Sequence, residues 1–238
     1  AVGLALWGRE VGRMAGVNVP LWPCEHFYIV TEPFDGMTPG LPVLRDPDNC
    51  AYFKEDAGKL LLGAFEPVAK PWGMKATGGI PEDFSFTQLP DDFDHFEPIL
   101  EQAINRFPPL AEAGIQTFFN GPESFTPDGN FIIGEAPELK NFFVGAGFNA
   151  FGIAAGGGAG MALAEWVVAG EPPFELWAAD IRRFGRPHFD TDWVRTRSRE
   201  AYSKHYTMAW PHEEYASGRG QIRSPLYDRL AQRGACFG

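Results

Sequence analysis

The chain has 238 residues, of which 45% are hydrophobic and 14% aromatic, a length that suits one large domain or two small ones. Its formal net charge of -11 disfavours nucleic acid or an anionic membrane surface as a partner. Three widely spaced cysteines without a C-x-x-C pattern favour a reducing compartment over a disulfide framework, and we expect no apolar run as long as a membrane span.

The first elements predicted are a short helix and a half-buried strand. Trp7 to Met14 predict a helix that ends at Gly16, and the chain starts as if inside an element, so we expect a piece of a longer chain. Residues 24–33, CEHFYIVTEP, alternate in the period of a strand. His26, at the mouth of this strand, has two interpretations: an ordinary polar residue at a strand end or a functional group.

A loop and a hairpin are predicted next. Residues 31–49 are dense in proline, glycine and aspartate, which is typical of a loop. Residues 50–55 and 59–66 predict two strands, joined by a hairpin turn of sequence DAG. Tyr52 on the first of these strands and His26 could form a polar pair over a substrate.

The middle of the chain predicts one helix, one strand and one tight turn. Residues 67–92 are irregular, and apolar residues at helical spacing then run from Phe93 to Phe107, before two prolines. Residues 115–121 predict a strand, and 124–130, SFTPDGN, contain strong turn chemistry, for which an ordinary turn is the default interpretation.

A strand, a glycine-rich turn and a helix are predicted at 141–144, 145–151 and 152–169, with Gly170 ending the helix. The glycine spacing is G-x-G-x-x-x-x-G, whereas dinucleotide-binding turns have G-x-G-x-x-G. The acidic residue that should hold a ribose would be Glu165, which lies inside the same helix, so the match to a dinucleotide-binding turn is poor. Two interpretations remain. Bare N–H groups at the helix start could hold an anion or a polarised carbonyl, or the glycines could allow close backbone packing.

The composition changes after Pro173, where arginine and aromatic residues become more frequent, and we place a domain boundary near Ala178. Three histidines in or near the last segment have no metal-ligand spacing, so no metal site is expected. They are His188, His205 and His212.

Several long motifs resemble one family. GPESFTPDGNFIIGEAPEL, GFNAFGIAAGGGAGMALAEWVVAGEPP and DIRRFGR, together with LWGREVGRMAGV and EHFYIVTEP, resemble the sarcosine and dimethylglycine dehydrogenase family of the D-amino-acid-oxidase-like superfamily. The motif CEHFY also resembles the regulatory subunit of pyruvate dehydrogenase phosphatase, a relative with a regulatory role. Nearly the whole chain is covered by these similarities.

The resemblance implies a mixed α/β (α+β) fold. Residues 1–178 would be the C-terminal part of an FAD-dependent oxidoreductase domain, with an antiparallel substrate sheet, helices and the late flavin-binding strand, turn and helix. Residues 179–238 would be a connector and the incomplete start of an aminomethyltransferase-like, folate-binding region.

The resemblance also assigns site residues. His26 matches the family's active-site histidine, which would set the protonation state of the substrate amine, and Tyr52 matches a tyrosine that reaches the substrate and the flavin. Backbone groups of one turn would face the pyrimidine end of the flavin. That turn comprises Gly147, Phe148, Asn149, Ala150, Phe151, Gly152 and Ile153.

The function implied is FAD-dependent oxidative N-demethylation of sarcosine or dimethylglycine, giving formaldehyde or methylene-tetrahydrofolate. FAD would be tethered covalently through a residue outside this chain, and tetrahydrofolate would bind the full-length protein. Electrons would pass to an electron-transfer flavoprotein or to oxygen, in the bacterial cytoplasm or the mitochondrial matrix. The alternatives are a non-catalytic regulatory protein of the same fold and a general oxidase of D-amino-acid type without the folate region.

Overall fold

The computed structural model describes residues 2–3, 6–73, 79–208, 210–221 and 223–237, and these residues form two β-sheets and five α-helices. The larger sheet is antiparallel, with strands in the spatial order β3 (Leu44–Asp46), β4 (Ala51–Asp56), β5 (Lys59–Ala64), β2 (Trp22–Thr31) and β6 (Ile115–Phe125). The smaller sheet has the order β1 (Val2–Gly3), β8 (Phe143–Ala146) and β7 (Ile132–Glu135), and β1 runs parallel to β8. The predicted mixed α/β class with an antiparallel sheet is therefore confirmed.

One face of the larger sheet forms the main hydrophobic core. Phe27 and Ile29 on β2 are fully buried there and alternate with the partly exposed Tyr28 and Val30, as the period of two predicts. The helix α2, Phe93–Arg106, covers this face. It begins at Asp92, whose side chain accepts a hydrogen bond from the His95 N–H, and its buried stripe consists of Phe96, Ile99 and Ala103.

The hairpin between β4 and β5 is confirmed, with Ala57 (φ 54°) and Gly58 (φ 80°) both in the left-handed region that a two-residue hairpin turn requires. The prediction of an uninterrupted loop at 31–49 is wrong. This segment contains β3, which pairs only with β4, because three residues at a sheet edge carry too little alternation to stand out in a sequence.

The strand predicted at 115–121 continues to Phe125, because Trp22 and its neighbours on β2 extend the ladder opposite it. Ser124 therefore belongs to the strand, and the predicted turn is confined to 126–130, where Gly129 has a φ of 77°.

The strand, turn and helix around residue 150 are largely as predicted. The strand β8 begins and ends two residues later than expected, whereas the helix α3, Gly152–Ala169, has the predicted bounds and ends at Gly170 in the left-handed conformation. It packs on the smaller sheet through a short row of residues, Ala159, Leu163 and Trp166.

One helix among the described residues, α3, has the length and apolar composition that could cross a membrane, contrary to our expectation that no such run exists. Glycine and alanine supply most of its residues, so its apolar character comes from small side chains rather than from a run of large ones. Ala162 and Trp166 are buried, whereas most of the helix is exposed, with 22% of its residues buried.

The short helix α1, Gly8–Met14, is confirmed, with Gly16 just beyond its end at a φ of 71°. The segment after Pro173, whose periodicity is weak, contains α4 (Thr191–Ser203) and α5 (Tyr227–Gln232). The side chain of Asp190 caps α4, which packs on β2 and β6 of the larger sheet. The domain boundary near Ala178 stays a prediction.

Candidate active site

A cavity of about 310 Å³ lies over the face of the larger sheet opposite α2. Side chains from β2, β3, β4 and β6 reach it, and so do residues of the glycine-rich turn and of the segment after α4. The lining residues are His26, Tyr28, Arg45, Tyr52, Phe65, Glu123, Ala150, Phe151 and Tyr206. Six of these nine residues have aromatic or imidazole rings, so most of the wall is a π-surface with a few charged groups.

The fold brings the two predicted catalytic residues together in this cavity. The rings of His26 and Tyr52 lie 6.5 Å apart, with 24° between their planes. Tyr52 reaches His26 across β5, where Gly63 is its direct partner in the sheet. A Cβ at Gly63 would lie 2.0 Å from the Tyr52 Cζ, so only glycine leaves room for this ring. Burial raises the pKa of Tyr52, which keeps its hydroxyl a hydrogen-bond donor.

His26 is held in place by Tyr202 and Phe65. Its Nδ1 lies 3.1 Å from the Tyr202 hydroxyl, and its ring centroid lies 4.7 Å from that of Phe65. Burial, and secondly the nearby His205, lower the pKa of His26 to about 4. At neutral pH the imidazole is therefore uncharged and can accept a hydrogen bond.

Arg45 brings a positive charge to the cavity, and the sequence did not single it out. Its Nη1 donates to the Tyr206 hydroxyl at 3.2 Å, and its guanidinium lies 5.6 Å from the ring centre of Phe151. Arg45 is on the edge strand β3, inside the segment predicted as a loop, and no local pattern points to a role for it. A guanidinium in this position can pair with an anionic group of a ligand.

Glu123 connects the cavity to the glycine-rich turn. Its Oε1 accepts a hydrogen bond of 2.9 Å from the Ala150 N–H, and burial raises its pKa although that hydrogen bond lowers it. The cavity therefore has a carboxyl group on one wall and the guanidinium of Arg45 on another, a charge pattern that suits a small zwitterion.

The glycine-rich turn owes its shape to Asn149. Gly147, Asn149 and Ala150 all have positive φ, of 64°, 50° and 67°. The buried amide of Asn149 donates to the carbonyls of Gly147 (2.8 Å) and Gly129 (3.0 Å) and accepts from the Thr126 N–H (3.0 Å). Asn149 thus joins the predicted cofactor turn to the turn at 126–130, and its side chain is structural.

The other predicted turn residues lie in three places. Phe148 stacks on Phe131, with centroids 5.2 Å apart, and is turned away from the cavity. Ala150 and Phe151 line the cavity, whereas Gly152 and Ile153 are exposed at the start of α3. No side chain caps this helix start, so the first N–H groups of α3 are available to a ligand.

Other parts of the described chain add little to this site. No group of three metal-binding side chains among the described residues is arranged to hold a metal ion. Cys24 and Cys50 are buried free thiols, and Cys236 is an exposed one. A larger cavity, of about 490 Å³, lies between α4 and the C-terminal segment and is lined by none of the predicted site residues.

Comparison with known sequences gives two family matches. The family described as "FAD dependent oxidoreductase" matches residues 2–166, and the one described as "FAD dependent oxidoreductase central domain" matches residues 169–224. Among solved structures, glycine oxidase from Geobacillus kaustophilus superposes with a TM-score of 0.60 at 22% identity, over 78% of this chain and 46% of that one. At this identity the likeness concerns the fold.

Curated relatives are more similar. A 4-methylaminobutanoate oxidase (formaldehyde-forming) of Paenarthrobacter nicotinovorans is 44% identical over 98% of this chain, and the mitochondrial sarcosine dehydrogenase of Mus musculus is 42% identical over 98%. The pyruvate dehydrogenase phosphatase regulatory subunit of Mus musculus is 37% identical over 96%. The chain spans 28%, 25% and 26% of the lengths of these three relatives.

Proposed function

The chain belongs to the FAD-dependent oxidoreductase family, and from that premise we propose that the protein oxidises an N-methyl amino acid and removes its methyl group. The observation that carries the proposal is the cavity in which a neutral imidazole, His26, and a cation, Arg45, lie beside the turn residue Phe151. Relatives at 42–44% identity that are named as a sarcosine dehydrogenase and a 4-methylaminobutanoate oxidase support the same substrate class.

The start of α3 fits a role in holding FAD. The helix start has no side-chain cap, Ile153 is fully exposed, and the exposed ring of Phe151 lies between this helix start and the cavity. Backbone N–H groups and the positive end of the helix dipole favour a negatively charged or polarised group at this position. Bound FAD would supply the acceptor for the hydride that leaves the substrate.

The aromatic wall suits the substrate amine. Phe65, Tyr52 and Tyr206 line the cavity, and the ring of Phe65 contacts those of the two tyrosines. A methylated ammonium group is attracted to such ring faces by cation–π interaction. Glu123 adds a carboxyl group on the same cavity. These groups would bind the charged form of the amine.

The amine must be neutral before its methyl group gives up a hydride. The uncharged His26 would help to set that protonation state and to position the amine by accepting a hydrogen bond from it, and the proton would pass to water. The substrate loses one proton from nitrogen and one hydride from the methyl carbon, and a C=N bond forms. Water adds to that bond, and the products are formaldehyde and the demethylated amine. Arg45 would pair with the substrate carboxylate, with the Tyr52 hydroxyl as a second donor that orients it.

The proposal is tested with the full-length protein mixed anaerobically with sarcosine, dimethylglycine and 4-methylaminobutanoate in turn. We expect at least one substrate to bleach the flavin absorbance and to release formaldehyde on addition of an acceptor. No bleaching with any of the three would contradict the proposed function.

The main alternative is a non-catalytic regulatory protein of the same fold, favoured by the 37% identity to the phosphatase regulatory subunit. Such a protein would leave the flavin oxidised in the anaerobic experiment. A general oxidase of D-amino-acid type would instead bleach with amino acids that lack an N-methyl group.

Several finer points of the proposal rest on the resemblance alone. They are the covalent tether of FAD, the transfer of the one-carbon unit to tetrahydrofolate, and an electron-transfer flavoprotein or oxygen as acceptor. The expected absence of nucleic acid and membrane partners and the location in the bacterial cytoplasm or the mitochondrial matrix are further predictions.

A further inference from the structure

A buried hydroxyl, that of Tyr202, contacts His26, and a buried carboxyl group, that of Glu66, contacts this hydroxyl in turn. Tyr202 is 1% exposed and Glu66 3% exposed, and neither residue lines the cavity. Tyr202 comes from α4, in the segment that matches the second family profile, whereas Glu66 follows β5 of the larger sheet. Glu66 and Tyr202, which are far apart in sequence, thus meet next to His26 of the proposed active site.

The direction of the hydrogen bonds follows from the chemistry of the groups. The Tyr202 hydroxyl donates its one proton to Glu66 Oε2. As long as Glu66 is ionised, the Tyr202 hydroxyl can then only accept from His26, whose Nδ1 lies 3.1 Å away. A proton on Nδ1 leaves the lone pair of the neutral imidazole on Nε2, so this arrangement selects the tautomer in which Nε2 is the acceptor.

The surroundings of Glu66 bring its pKa close to neutral pH, so its charge changes with pH in that range. Burial raises its pKa to about 7, the hydrogen bond from Tyr202 opposes this shift, and its Oε1 is buried without a hydrogen-bond partner among the described residues. The partly exposed Lys70 is a cation that lowers the pKa of Glu66. The titratable or charged groups facing it are Cys24, Glu25, Cys50, Tyr52, Lys70 and Tyr202.

We propose that Tyr202 and Glu66 are positioning residues that hold His26 in the Nδ1-protonated tautomer and thereby make Nε2 the hydrogen-bond acceptor for the substrate amine. The acceptor role of His26 rests on the proposed function, whereas the tautomer and its cause rest on the hydrogen-bonded chain alone. Tyr202 donates in this chain and stays protonated, because burial beside Glu66 raises its pKa.

The kinetic test compares Tyr202→Phe, Glu66→Gln and the control Ser198→Ala in the full-length protein. Tyr202→Phe keeps the buried ring but removes the hydroxyl, and we expect the rate of flavin reduction to fall about 10- to 100-fold with little change in substrate KM. Ser198→Ala removes another buried hydroxyl one helical turn earlier, where it donates to the Phe125 carbonyl at 3.2 Å, and should keep the rate. Equal losses in both variants would mean that only the docking of α4 matters.

The Glu66→Gln variant tests the charge of Glu66 separately from its hydrogen bond with Tyr202. Its amide oxygen can still accept from Tyr202 but cannot ionise. Above the pKa of Glu66, its carboxylate strengthens the hydrogen bonds that connect Glu66, Tyr202 and His26, and below this pKa the carboxylate is protonated. The wild-type rate of flavin reduction should therefore rise with pH through about 7. We expect this rise of the rate with pH to disappear in Glu66→Gln. If the rise persisted in this variant, the proposed role of Glu66 would be wrong.

The second readout needs no substrate. Ring-nitrogen NMR of full-length protein labelled at histidine, with His26→Asn to assign the signal, reports which nitrogen carries the proton. At a pH above 7, where Glu66 is ionised, we expect Nδ1–H in the wild type and in Ser198→Ala, and a shift toward Nε2–H in Tyr202→Phe. A wild-type His26 protonated on Nε2 would overturn the proposal even if the flavin bleaches. If the flavin does not bleach with any substrate, the proposed function fails, and the NMR result still decides this inference.

Discussion

Tyr52 lies across Gly63, its partner on the neighbouring strand, and this contact places the Tyr52 ring beside His26. An ordinary strand residue at position 63 would occupy the space of the Tyr52 ring. The pairing of the two predicted catalytic residues therefore depends on a glycine that does not itself line the cavity.

We first predict that Gly63→Ala displaces Tyr52. The new Cβ would lie 2.0 Å from Cζ and 2.1 Å from the hydroxyl oxygen, so the tyrosine must move. We expect a loss of about 1–3 kcal/mol of stability from overpacking and slower flavin reduction in the full-length protein. Thermal unfolding and anaerobic stopped-flow absorbance measure the two effects.

A double-mutant cycle with Tyr52→Ala is the control for this prediction. If Gly63→Ala acts through the tyrosine ring, it should cost little further stability once that ring is gone. Equal costs in the wild-type and Tyr52→Ala backgrounds would mean that the glycine has another role.

The local elements could be predicted where sequence signals agree, and the site could be predicted only in part. The helix α3 has a glycine at its end and a continuous small-residue composition, so its bounds were found. His26 and Tyr52 were selected by resemblance, because strand period alone does not tell which strands are neighbours.

Arg45 and Tyr202 could not be found in this way. Arg45 lies on a three-residue edge strand, and Tyr202 reaches His26 over a sequence separation of 176 residues. The helix that carries Tyr202 did leave a signal, since Asp190 is a capping residue and Val194, Ser198 and Ala201 follow at helical spacing. That signal predicts a helix but not the surface on which it packs.

The second prediction concerns His26. Replacement by Ala or Asn in the full-length protein should slow flavin reduction by about 100- to 10,000-fold, because the group proposed to set the protonation state of the substrate amine and to position it is lost. The flavin absorbance spectrum before mixing should be unchanged, which serves as the control for cofactor binding. Unaltered reduction kinetics would remove His26 from the mechanism.

The third prediction is that Arg45 contributes to the affinity for the substrate carboxylate. Arg45→Met should raise KM roughly 5- to 30-fold, corresponding to about 1–2 kcal/mol, a modest value because Arg45 is exposed. Arg45→Lys should recover part of this loss, since it restores the charge but not the planar guanidinium.

Two controls test whether the effect of Arg45→Met on KM comes from the substrate carboxylate. Lys54→Met removes an exposed cation that pairs with Asp56 and does not line the cavity, and its KM should be normal. The effect of Arg45→Met should also vanish for an N-methyl amine without a carboxylate. A similar loss with both kinds of substrate would indicate a structural role for Arg45.

The fourth prediction is that Asn149→Asp opens the turn that precedes α3. The two donors that bond the carbonyls of Gly147 and Gly129 would be replaced by a buried carboxylate oxygen facing the same carbonyls. Uncompensated buried charge of this kind costs about 3–5 kcal/mol, so we expect a lower Tm and less FAD bound per chain.

Asn141→Asp is the matched control for this last prediction, because Asn141 also has a positive φ, of 64°, but is exposed. An exposed aspartate keeps its hydration, and the change in stability should stay within about 0.5 kcal/mol. If Asn149→Asp retained its full FAD content, the turn would not need its present shape to hold the cofactor. If both variants lost stability equally, the left-handed backbone rather than the buried amide network would be responsible.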